Sequence, residues 1–306
     1  MITYNHQRYV AQAIDSVLMQ RTNFDWELVI GEDCSPDGTG ALVADYQRRE
    51  PQRIRVLPRL RNLGASHNFV DTYFACGGQY VALLEGDDYW TDPNKLQAQV
   101  EALDAHPEWS MCGHRVHLRR EDGQPVQDFP PPWACQRVLT LGDLLASNLL
   151  PACSVVFRHR LIEEFPSWHH QLAMGDWSVH ILNAHHGLIG MLPVTMAVYR
   201  LHDDSMWAGR DELWRAQQCL RAQEQYSRIV DRRWSRRARL CIADSHGDLA
   251  RLYRDRGDLR KARACAWRYL LGGGWQVRSH RGQRLLTALR LAARLPVRDK
   301  ATTSRI

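Results

Sequence analysis

Residues 80–90, YVALLEGDDYW, join an apolar strand to a cluster of acidic side chains. Tyr80 to Leu84 form a short apolar run, and a run of this length that ends at turn residues is typical of a buried strand. Glu85-Gly86-Asp87-Asp88 follow it directly. The segment therefore predicts a strand that places three carboxylates at one end of a sheet.

The carboxylates of Glu85, Asp87 and Asp88 suggest a metal site. Three crowded negative charges repel one another, and a fold tolerates them most readily when a divalent cation neutralises them. Hard oxygen ligands favour Mg²⁺ or Mn²⁺. The same residues could instead form an acidic turn that caps the next helix, which is predicted to begin near Pro93. The residues alone leave both interpretations open.

Helical and strand patterns alternate on the N-terminal side of this segment. Predicted helices cover residues 9–19, 39–49 and 68–76, and predicted strands cover residues 26–30, 54–57 and 80–84. Strands separated by helices of about 10 to 15 residues indicate βαβ units and a mostly parallel sheet. Ligands of such sheets bind beyond the carboxyl ends of the strands. We therefore expect an α/β fold with its site at that edge.

A second polar loop, EDCSPDGT at residues 32–39, follows the predicted strand at 26–30. In a parallel sheet this loop and the 85–88 loop open on the same edge, so Asp33 should face the acidic cluster. A Ser-Pro-Asp-Gly sequence builds a turn and an N-cap unaided, which accounts for Asp37 and Gly38. The turn does not need Asp33, which is therefore the better functional candidate.

The rest of the chain predicts a mixed middle part and a helical end. Strands are expected at 111–118, 153–158 and 195–199, helices at 93–105 and 177–186, and an extended loop at 130–133. From about residue 210 the chain is helical and rich in arginine, with two helices in 249–274 joined at Arg256-Gly257-Asp258. Residues 285–295 could form a basic amphipathic helix with Leu285, Leu289 and Ala292 on its apolar face. Alternatively, that helix packs on the preceding pair with its arginines in solvent.

Charge divides the chain at the same place as the helical pattern. The net charge is +6 over 306 residues, but residues 1–204 carry −9 and residues 205–306 carry +15. The composition excludes disordered, collagen-like and disulfide-scaffold classes. Eight scattered cysteines without a CxxC pair predict reduced, mostly buried thiols. Because no signal peptide or spanning segment is recognisable, we expect a cytoplasmic protein.

Several ordered motifs resemble family 2 glycosyltransferases of GT-A fold. The nucleotide-sugar-binding half is matched by TYN (3–5), AIDSVLMQ (13–20), EDCSPDGT (32–39), RNLGASHN (61–68) and YVALLEGDDYW (80–90). The acceptor-side half is similar to MGDW (174–177) followed by HGLIGMLPVTMAVYRLH (186–202). The resemblance implies a GT-A domain over residues 1–208, with a mostly parallel sheet flanked by helices, and a basic helical region over 209–306.

The resemblance also implies residue roles on the donor side. Thr3, Tyr4 and Asn5 would line the nucleotide, and Asp33 would accept a hydrogen bond from a uracil or similar base. Further positions would shape the neighbouring loop or contact the nucleotide sugar, namely Asn62, Gly64, Asn68, Glu85 and Asp87. Asp87 and Asp88 would hold Mn²⁺ or Mg²⁺, with Glu85 in the place of the first Asp of a DxD motif and with His202 completing the metal shell.

On the acceptor side, the resemblance implies that Asp176 is the general base of an inverting displacement. Asp176 could also be a helix N-cap, and the two roles are compatible. Trp177 could stack on the acceptor sugar, although a large aromatic residue is more often part of the core.

The leading hypothesis is therefore a metal-dependent transferase that moves a sugar from a UDP-sugar or related donor to a glycan or lipid-linked acceptor in surface polysaccharide synthesis. The basic tail could dock on the inner face of an anionic membrane, or it could be a solvated helical face. A nucleotidyltransferase is one alternative, but TYNHQRYV is not a glycine-rich phosphate loop. Nucleic-acid binding through the Arg-rich tail is another, although no reading motif accompanies the arginines, and we expect no nucleic acid partner.

The N-terminus departs from the family pattern. Family members have four to six apolar residues before the TYN segment, whereas only Met1 and Ile2 precede it here. The central first strand should therefore be nearly absent, at a loss of several kcal/mol against total stabilities of about 5 to 15 kcal/mol. We expect either that the natural start lies upstream of Met1 or that the product is impaired.

Overall fold

The computed structural model describes residues 1–120, 127–202, 205–207, 209–276 and 281–293. The chain divides into two compact units. The first contains the described residues of Met1–Leu144 and Asn148–Ala208, and the second contains those of Leu145–Ser147 and Gly209–Ile306. Each unit has its own apolar core.

The first unit begins with a parallel three-stranded sheet in the order β1-β2-β3. Its strands are β1 (Ile2–Thr3), β2 (Leu28–Glu32) and β3 (Ile54–Pro58), and they alternate with the helices α1 (Val10–Leu18), α2 (Thr39–Arg49) and α3 (Ala65–Ala75). The predicted βαβ pattern is confirmed. Although β1 is only two residues long, Ile2 and Thr3 pair in parallel with Gly31 and Glu32.

A second, mixed sheet completes the first unit. Its strands are β4 (Tyr80–Ala82), β5 (Tyr89–Trp90), β6 (Trp109–Arg120), β7 (Gln127–Phe129), β8 (Val156–Arg158) and β9 (Leu188–Leu201). They lie in the order β4-β8-β6-β9-β5, and β7 pairs with β6. Long strands β6 and β9 are parallel, whereas the other described pairings in this sheet are antiparallel. Parallel pairing thus prevails in the N-terminal sheet, and the α/β class is confirmed.

Three further helices of the first unit are α4 (Lys95–Ala105), α5 (Leu141–Leu144) and α6 (Gly175–Ala184). Helix α4 begins after Pro93, not at it, because the Asp92 carboxylate accepts the amide of Asn94 and forms a local turn first. The predicted extended loop at 130–133 is also partly wrong. Pro132–Cys135 form a 3₁₀ helix, in which a leading proline is tolerated because its missing N–H has no partner there.

The core of the first unit contains residues of α1 together with residues of both sheets. Val10, Ala13, Ile14 and Val17 are buried along one face of α1, as their helical spacing predicts. All eight cysteines are free, in agreement with the prediction of reduced thiols, but only Cys112, Cys153, Cys241 and Cys265 are buried.

The second unit is built from the helices α7 (Glu212–Ile229), α8 (Arg232–Asp255), α9 (Leu259–Leu271) and α10 (Arg281–Ala292). The predicted connection at 256–258 is confirmed, and Gly257 lies there at φ +80°, a conformation that favours glycine. The second core contains Leu249, Ala250, Ala262, Cys265, Ala266, Tyr269, Ala288 and Leu291. In the described part of the chain, no helix is long and apolar enough to cross a membrane.

The apolar face predicted for residues 285–295 is partly wrong, because Leu285 packs against the second core but Leu289 does not. Leu289 is 49% exposed, whereas Ala288 and Leu291 are buried. Arg284 lies on the packed side, 2.6 Å from a carboxylate oxygen of Asp244 and 2.7 Å from one of Asp248. Helix α10 therefore packs on the helical pair, as the alternative interpretation held. Residues 294 and 295 of the predicted helix lie outside the described residues.

Helix α3 packs closely against Gly31 of β2, so a substitution at Gly31 can test this packing. A Cβ atom at Gly31 would lie 2.1 Å from the Thr72 hydroxyl and 2.5 Å from the Asn68 side-chain oxygen. We predict that Gly31→Ala lowers the free energy of unfolding by about 1–3 kcal/mol, as overpacking usually does. Urea denaturation of both proteins measures the difference.

Gly40→Ala is the matched control for this experiment. Gly40 lies in α2, and a Cβ atom there would meet the Glu32 carboxylate at an ordinary 3.5 Å. Alanine should raise stability there by about 0.5–1 kcal/mol, because it favours the helix. A neutral Gly31→Ala would show that α3 is not packed on β2 in this way.

Candidate functional site

The ends of β1, β2 and β4 bring three polar loops together. The amide of Asp33 donates to the carbonyl of Thr3 at 3.1 Å, and the amide of Gly86 donates to the carbonyl of Ile2 at 3.0 Å. Ile2 also forms an isolated parallel bridge with Glu85. The short strand β1 therefore lies between the two loops that the sequence predicted to share one edge.

The acidic cluster consists of Glu85, Asp87 and Asp88. One carboxylate oxygen of each residue lies within 4.8 Å of the others. Burial raises the pKa of Glu85 and of Asp88 well above the ordinary range, and the charge of Asp87 raises both further. Burial alone would raise the pKa of Asp87 as well, but the hydrogen bond with His202 and the charge of His6 outweigh it and lower that pKa.

The cluster fits a divalent cation. Asp87 Oδ1 and Asp88 Oδ2 are buried and have no hydrogen-bond partner in the structure. Buried carboxylate oxygens without a donor are costly, whereas a hard cation takes such oxygens as ligands. Glu85, Asp87 and Asp88 could therefore hold Mg²⁺ or Mn²⁺, as the sequence predicted.

Two histidines flank one oxygen of the cluster. His202 Nε2 lies 3.1 Å from Asp87 Oδ2, and its side chain is buried against the ring of Tyr9. His6 Nε2 lies 3.7 Å from the same oxygen, and its Nδ1 lies 3.3 Å from the Thr3 hydroxyl. His202 is thus beside the cluster, and its place in a metal shell stays a prediction. Sequence reasoning missed His6, which stands directly after the TYN segment.

Arg200 is a second residue that sequence reasoning missed. Its backbone amide donates to Asp88 Oδ1 at 2.8 Å. Its guanidinium donates to the carbonyl of Asp87 and to the side-chain oxygen of Gln12, and it lies 4.5 Å from the centre of the Tyr89 ring. Arg200 therefore fixes the acidic loop from β9. Arg200 lies within the quoted segment 186–202, but its contact with the acidic loop could not be inferred because the two are far apart along the chain.

Asp33 is buried and holds the neighbouring loop. Its two carboxylate oxygens accept the backbone amides of Leu63 at 2.8 Å and Gly64 at 2.9 Å. The Asn62 side chain accepts the Gly64 amide as well, and Gly64 adopts φ +82° before α3. Asp33 thus orders the loop at 61–64, and its predicted contact with a nucleotide base stays a prediction.

The other predicted nucleotide contacts differ in exposure. Tyr4 is exposed, Thr3 is buried, and Asn5 adopts φ 58° while its amide donates to the Ser35 hydroxyl at 3.0 Å. These three residues lie at the end of β1, beside the Asp33 loop.

Asn68 lies in α3, next to the loop at 61–64, and binds residues on two neighbouring segments. Its side-chain amide donates to the carbonyl of Gly31 at 2.8 Å, and its side-chain oxygen accepts from Arg59 Nε at 3.1 Å. Because Asn68 is buried and both ends of its amide have protein partners, it joins α3 to β2. This placement fits the predicted part of Asn68 in shaping the loop, which stays a prediction.

Asp176 lies in the first turn of α6. The alternative role as an N-cap is wrong, because the cap is Met174 and Asp176 is the second helical residue. Asn148 donates its side-chain amide to Asp176 Oδ2 at 2.8 Å. Burial raises the pKa of Asp176, although the Trp177 backbone amide and the Asn148 amide oppose the rise. The charge of Asp176 also contributes to the raised pKa of Glu85, so the two carboxylates are close enough to interact.

Trp177 does not offer a face to an acceptor sugar. It is 1% exposed, and its indole N–H donates to the carbonyl of Leu144 at 2.8 Å. The predicted stacking role is therefore wrong, and the core alternative is correct. The helical period explains the difference, because Asp176 and Trp177 are consecutive residues and project to different sides of α6.

Comparison with known proteins places these features in a family. The model of "Glycosyl transferase family 2" matches residues 1–162. An uncharacterized protein of Mycobacterium tuberculosis (strain ATCC 25618 / H37Rv) is 42% identical over 208 residues, which are 67% of this chain and 59% of that protein. An uncharacterized glycosyltransferase of Nostoc is 30% identical over 213 residues, 65% of this chain and 62% of that protein. The chain thus spans about three fifths of the length of these relatives.

Solved structures show the same fold. Residues 1–349 of S. aureus TarS, in complex with UDP-GlcNAc, match with a TM-score of 0.62 and 16% identity, over 89% of this chain and 80% of that one. The mannosyltransferase PcManGT from Pyrobaculum calidifontis, in complex with GDP-Man and Mn²⁺, matches with a TM-score of 0.56 and 15% identity, over 95% and 86%. The GT-A fold predicted from the sequence motifs is confirmed.

We predict that Asp88→Asn stabilises the metal-free protein and weakens Mn²⁺ binding. Burial and the charge of Asp87 raise the pKa of Asp88, so its ionised form costs stability at neutral pH. Asparagine removes the charge, and its side-chain oxygen can still accept the Arg200 amide. With Mn²⁺ at about 100 times its Kd, the wild type should gain about 2.7 kcal/mol, and the variant much less. Thermal unfolding with EDTA or MnCl₂ measures both effects.

Asp45→Asn is the control for this experiment, because Asp45 is an exposed carboxylate that pairs with Arg48 and Arg49 on α2. It should leave the Mn²⁺ effect unchanged. Equal stabilisation of Asp88→Asn and wild type by MnCl₂ would rule out Asp88 as a metal ligand.

Proposed function

Since the chain belongs to glycosyl transferase family 2, as its ordered motifs predicted, we propose that it transfers a sugar from a nucleoside diphosphate donor to an acceptor hydroxyl. The observation that carries the proposal is the acidic cluster of Glu85, Asp87 and Asp88, in which Asp88 is buried. The charge of Asp176 acts on Glu85 of this cluster. The family match favours glycosyl transfer over the nucleotidyl transfer considered above.

The donor would bind at the carboxyl ends of β1 and β2. Thr3, Tyr4 and Asn5 would line the nucleotide, and the loop that Asp33 holds through the Leu63 and Gly64 amides would close one side. A UDP-sugar is the favoured donor. Support comes from the fold neighbours, since the TarS structures contain UDP-GlcNAc or UDP, while that of PcManGT contains GDP-Man.

Glu85, Asp87 and Asp88 would hold Mn²⁺ or Mg²⁺, with His202 beside them. Such an ion neutralises charge on the departing diphosphate when bound. The Mn²⁺ in the PcManGT structure supports this choice of metal. Arg200 would keep the site in place, because its amide and guanidinium bind the loop that contains Asp87 and Asp88.

Asp176 would accept the proton of the acceptor hydroxyl. The hydroxyl oxygen then forms a bond to the anomeric carbon, while the bond from that carbon to the diphosphate oxygen breaks and its electrons leave with the nucleoside diphosphate. Attack opposite the leaving group inverts the anomeric configuration. The raised pKa of Asp176 suits this step, because a stronger base removes a hydroxyl proton more readily.

The acceptor would be a glycan or a lipid-linked sugar in the synthesis of a surface polysaccharide. Residues 1–208 would form the catalytic domain. The basic region 209–306 would bring the enzyme to the inner, anionic face of a membrane where lipid-linked acceptors reside.

We predict that Asp88→Ala and Asp176→Asn each lose sugar transfer. Loss of the base should lower kcat by about 10²- to 10⁴-fold, because asparagine cannot accept the proton. Nucleoside diphosphate release from a panel of nucleotide sugars with MnCl₂ or MgCl₂ measures the rates, with Asp45→Asn as the control. Full activity in both site variants would refute the mechanism.

We predict that Asn148→Ala shifts the pH profile of transfer to higher pH. The Asn148 amide stabilises ionised Asp176, so its removal raises the pKa of Asp176 further. Activity should fall most at low pH and recover as the pH rises, since the active base is the carboxylate. The dependence of kcat/KM on pH tests this. An equal loss at every pH would mean that Asn148 only supports the fold.

A further inference from the structure

The second unit exposes an aromatic and aliphatic surface at the end of α9. Trp267 and Leu271 are 51% and 82% exposed and stand one helical turn apart. Trp275, in the 3₁₀ helix Gly274–Gln276 that follows, is 49% exposed. These three residues are called the Trp267 surface below.

Trp267 and Leu271 lie on the side of α9 that faces away from its own core. The side of α9 that packs in the second core presents Ala262, Cys265, Ala266 and Tyr269. The solvent side of a helix in a water-soluble protein is normally polar. Packing within the unit therefore does not explain why Trp267 and Leu271 are apolar.

Helix α9 also carries exposed basic side chains, of which Arg268 directly follows Trp267. Arg260, Lys261 and Arg268 are exposed on the same helix. Of these, Lys261 pairs with Asp258 at 3.1 Å. Residues 205–306 carry a net charge of +15. Tryptophan and leucine bordered by arginine are the side chains that insert into, and bind at, the boundary between lipid headgroups and acyl chains.

We propose that the Trp267 surface docks on an anionic lipid bilayer. A second copy of the chain is a poor occupant, because it would bring another strongly positive surface against the first. Nucleic acid would satisfy the arginines and could stack on tryptophan, but it offers no apolar environment to Leu271, the most exposed of the three. The proposal rests on the membrane association proposed above and identifies the residues that carry it.

The test is co-sedimentation of the full chain with vesicles, without any sugar donor. Wild type should pellet with vesicles of phosphatidylglycerol and phosphatidylcholine in equal parts, and not with phosphatidylcholine alone. The double variant Trp267→Ser/Leu271→Ser should bind at least about tenfold more weakly, because each apolar side chain contributes to insertion. Arg260→Gln/Arg268→Gln should weaken binding and reduce its salt dependence.

Leu60→Ser is the matched control, since Leu60 is a fully exposed leucine of the first unit. It should bind vesicles like wild type. Circular dichroism and donor hydrolysis are measured for every variant. Unchanged hydrolysis with lost vesicle binding supports the surface, while hydrolysis that is absent from wild type as well would contradict the proposed enzyme and leave the vesicle result to stand on its own.

Three results would overturn the inference. One is failure of wild type to bind anionic vesicles. Another is equal vesicle binding by wild type and Trp267→Ser/Leu271→Ser. The third is a Trp267-dependent dimer in light scattering, or Trp267-dependent retention on single-stranded nucleic acid, without vesicle binding.

Discussion

The placement of like charges in a buried position is the constraint on which the site depends. Glu85, Asp87 and Asp88 repel one another, so the surrounding backbone has to hold them. The short strand β1 does this from one side, since the Gly86 amide donates to Ile2. Gly86 allows the approach, because a Cβ atom there would lie 2.5 Å from the Thr3 hydroxyl and 2.8 Å from His6 Nδ1. The two-residue strand β1 thus lies between the acidic loop and the Asp33 loop.

Strand β9 holds the acidic loop from the other side. Arg200 binds both Asp87 and Asp88, and His202 lies against the Asp87 carboxylate. The positive guanidinium offsets part of the negative charge, while buried oxygens of Asp87 and Asp88 stay without a hydrogen-bond donor. The acidic loop is thus held in place by protein contacts while some of its oxygens remain available for the proposed cation.

The positively charged side chains of the second unit have two different placements. Five of the eight residues in its core are alanine or cysteine, and these small side chains let α8, α9 and α10 pack closely. Arg284 is drawn into that packing by Asp244 and Asp248, so part of the positive charge is structural. The arginines beside Trp267 have no such role in the core. Net charge alone does not distinguish these two groups of arginines.

The sequence by itself determined the βαβ order, the acidic loop after β4 and the polar loop after β2, because each depends on residues that are close together in the chain. It also determined the family, since the order of motifs along the chain can be recognised without the tertiary structure. Only the tertiary structure decided that Arg200 and His6 belong to the site, that Asn148 holds Asp176, and that Trp177 and α10 turn their apolar sides inward. The physical reason is that a local pattern specifies an element, whereas the direction of a side chain depends on which distant element packs against it.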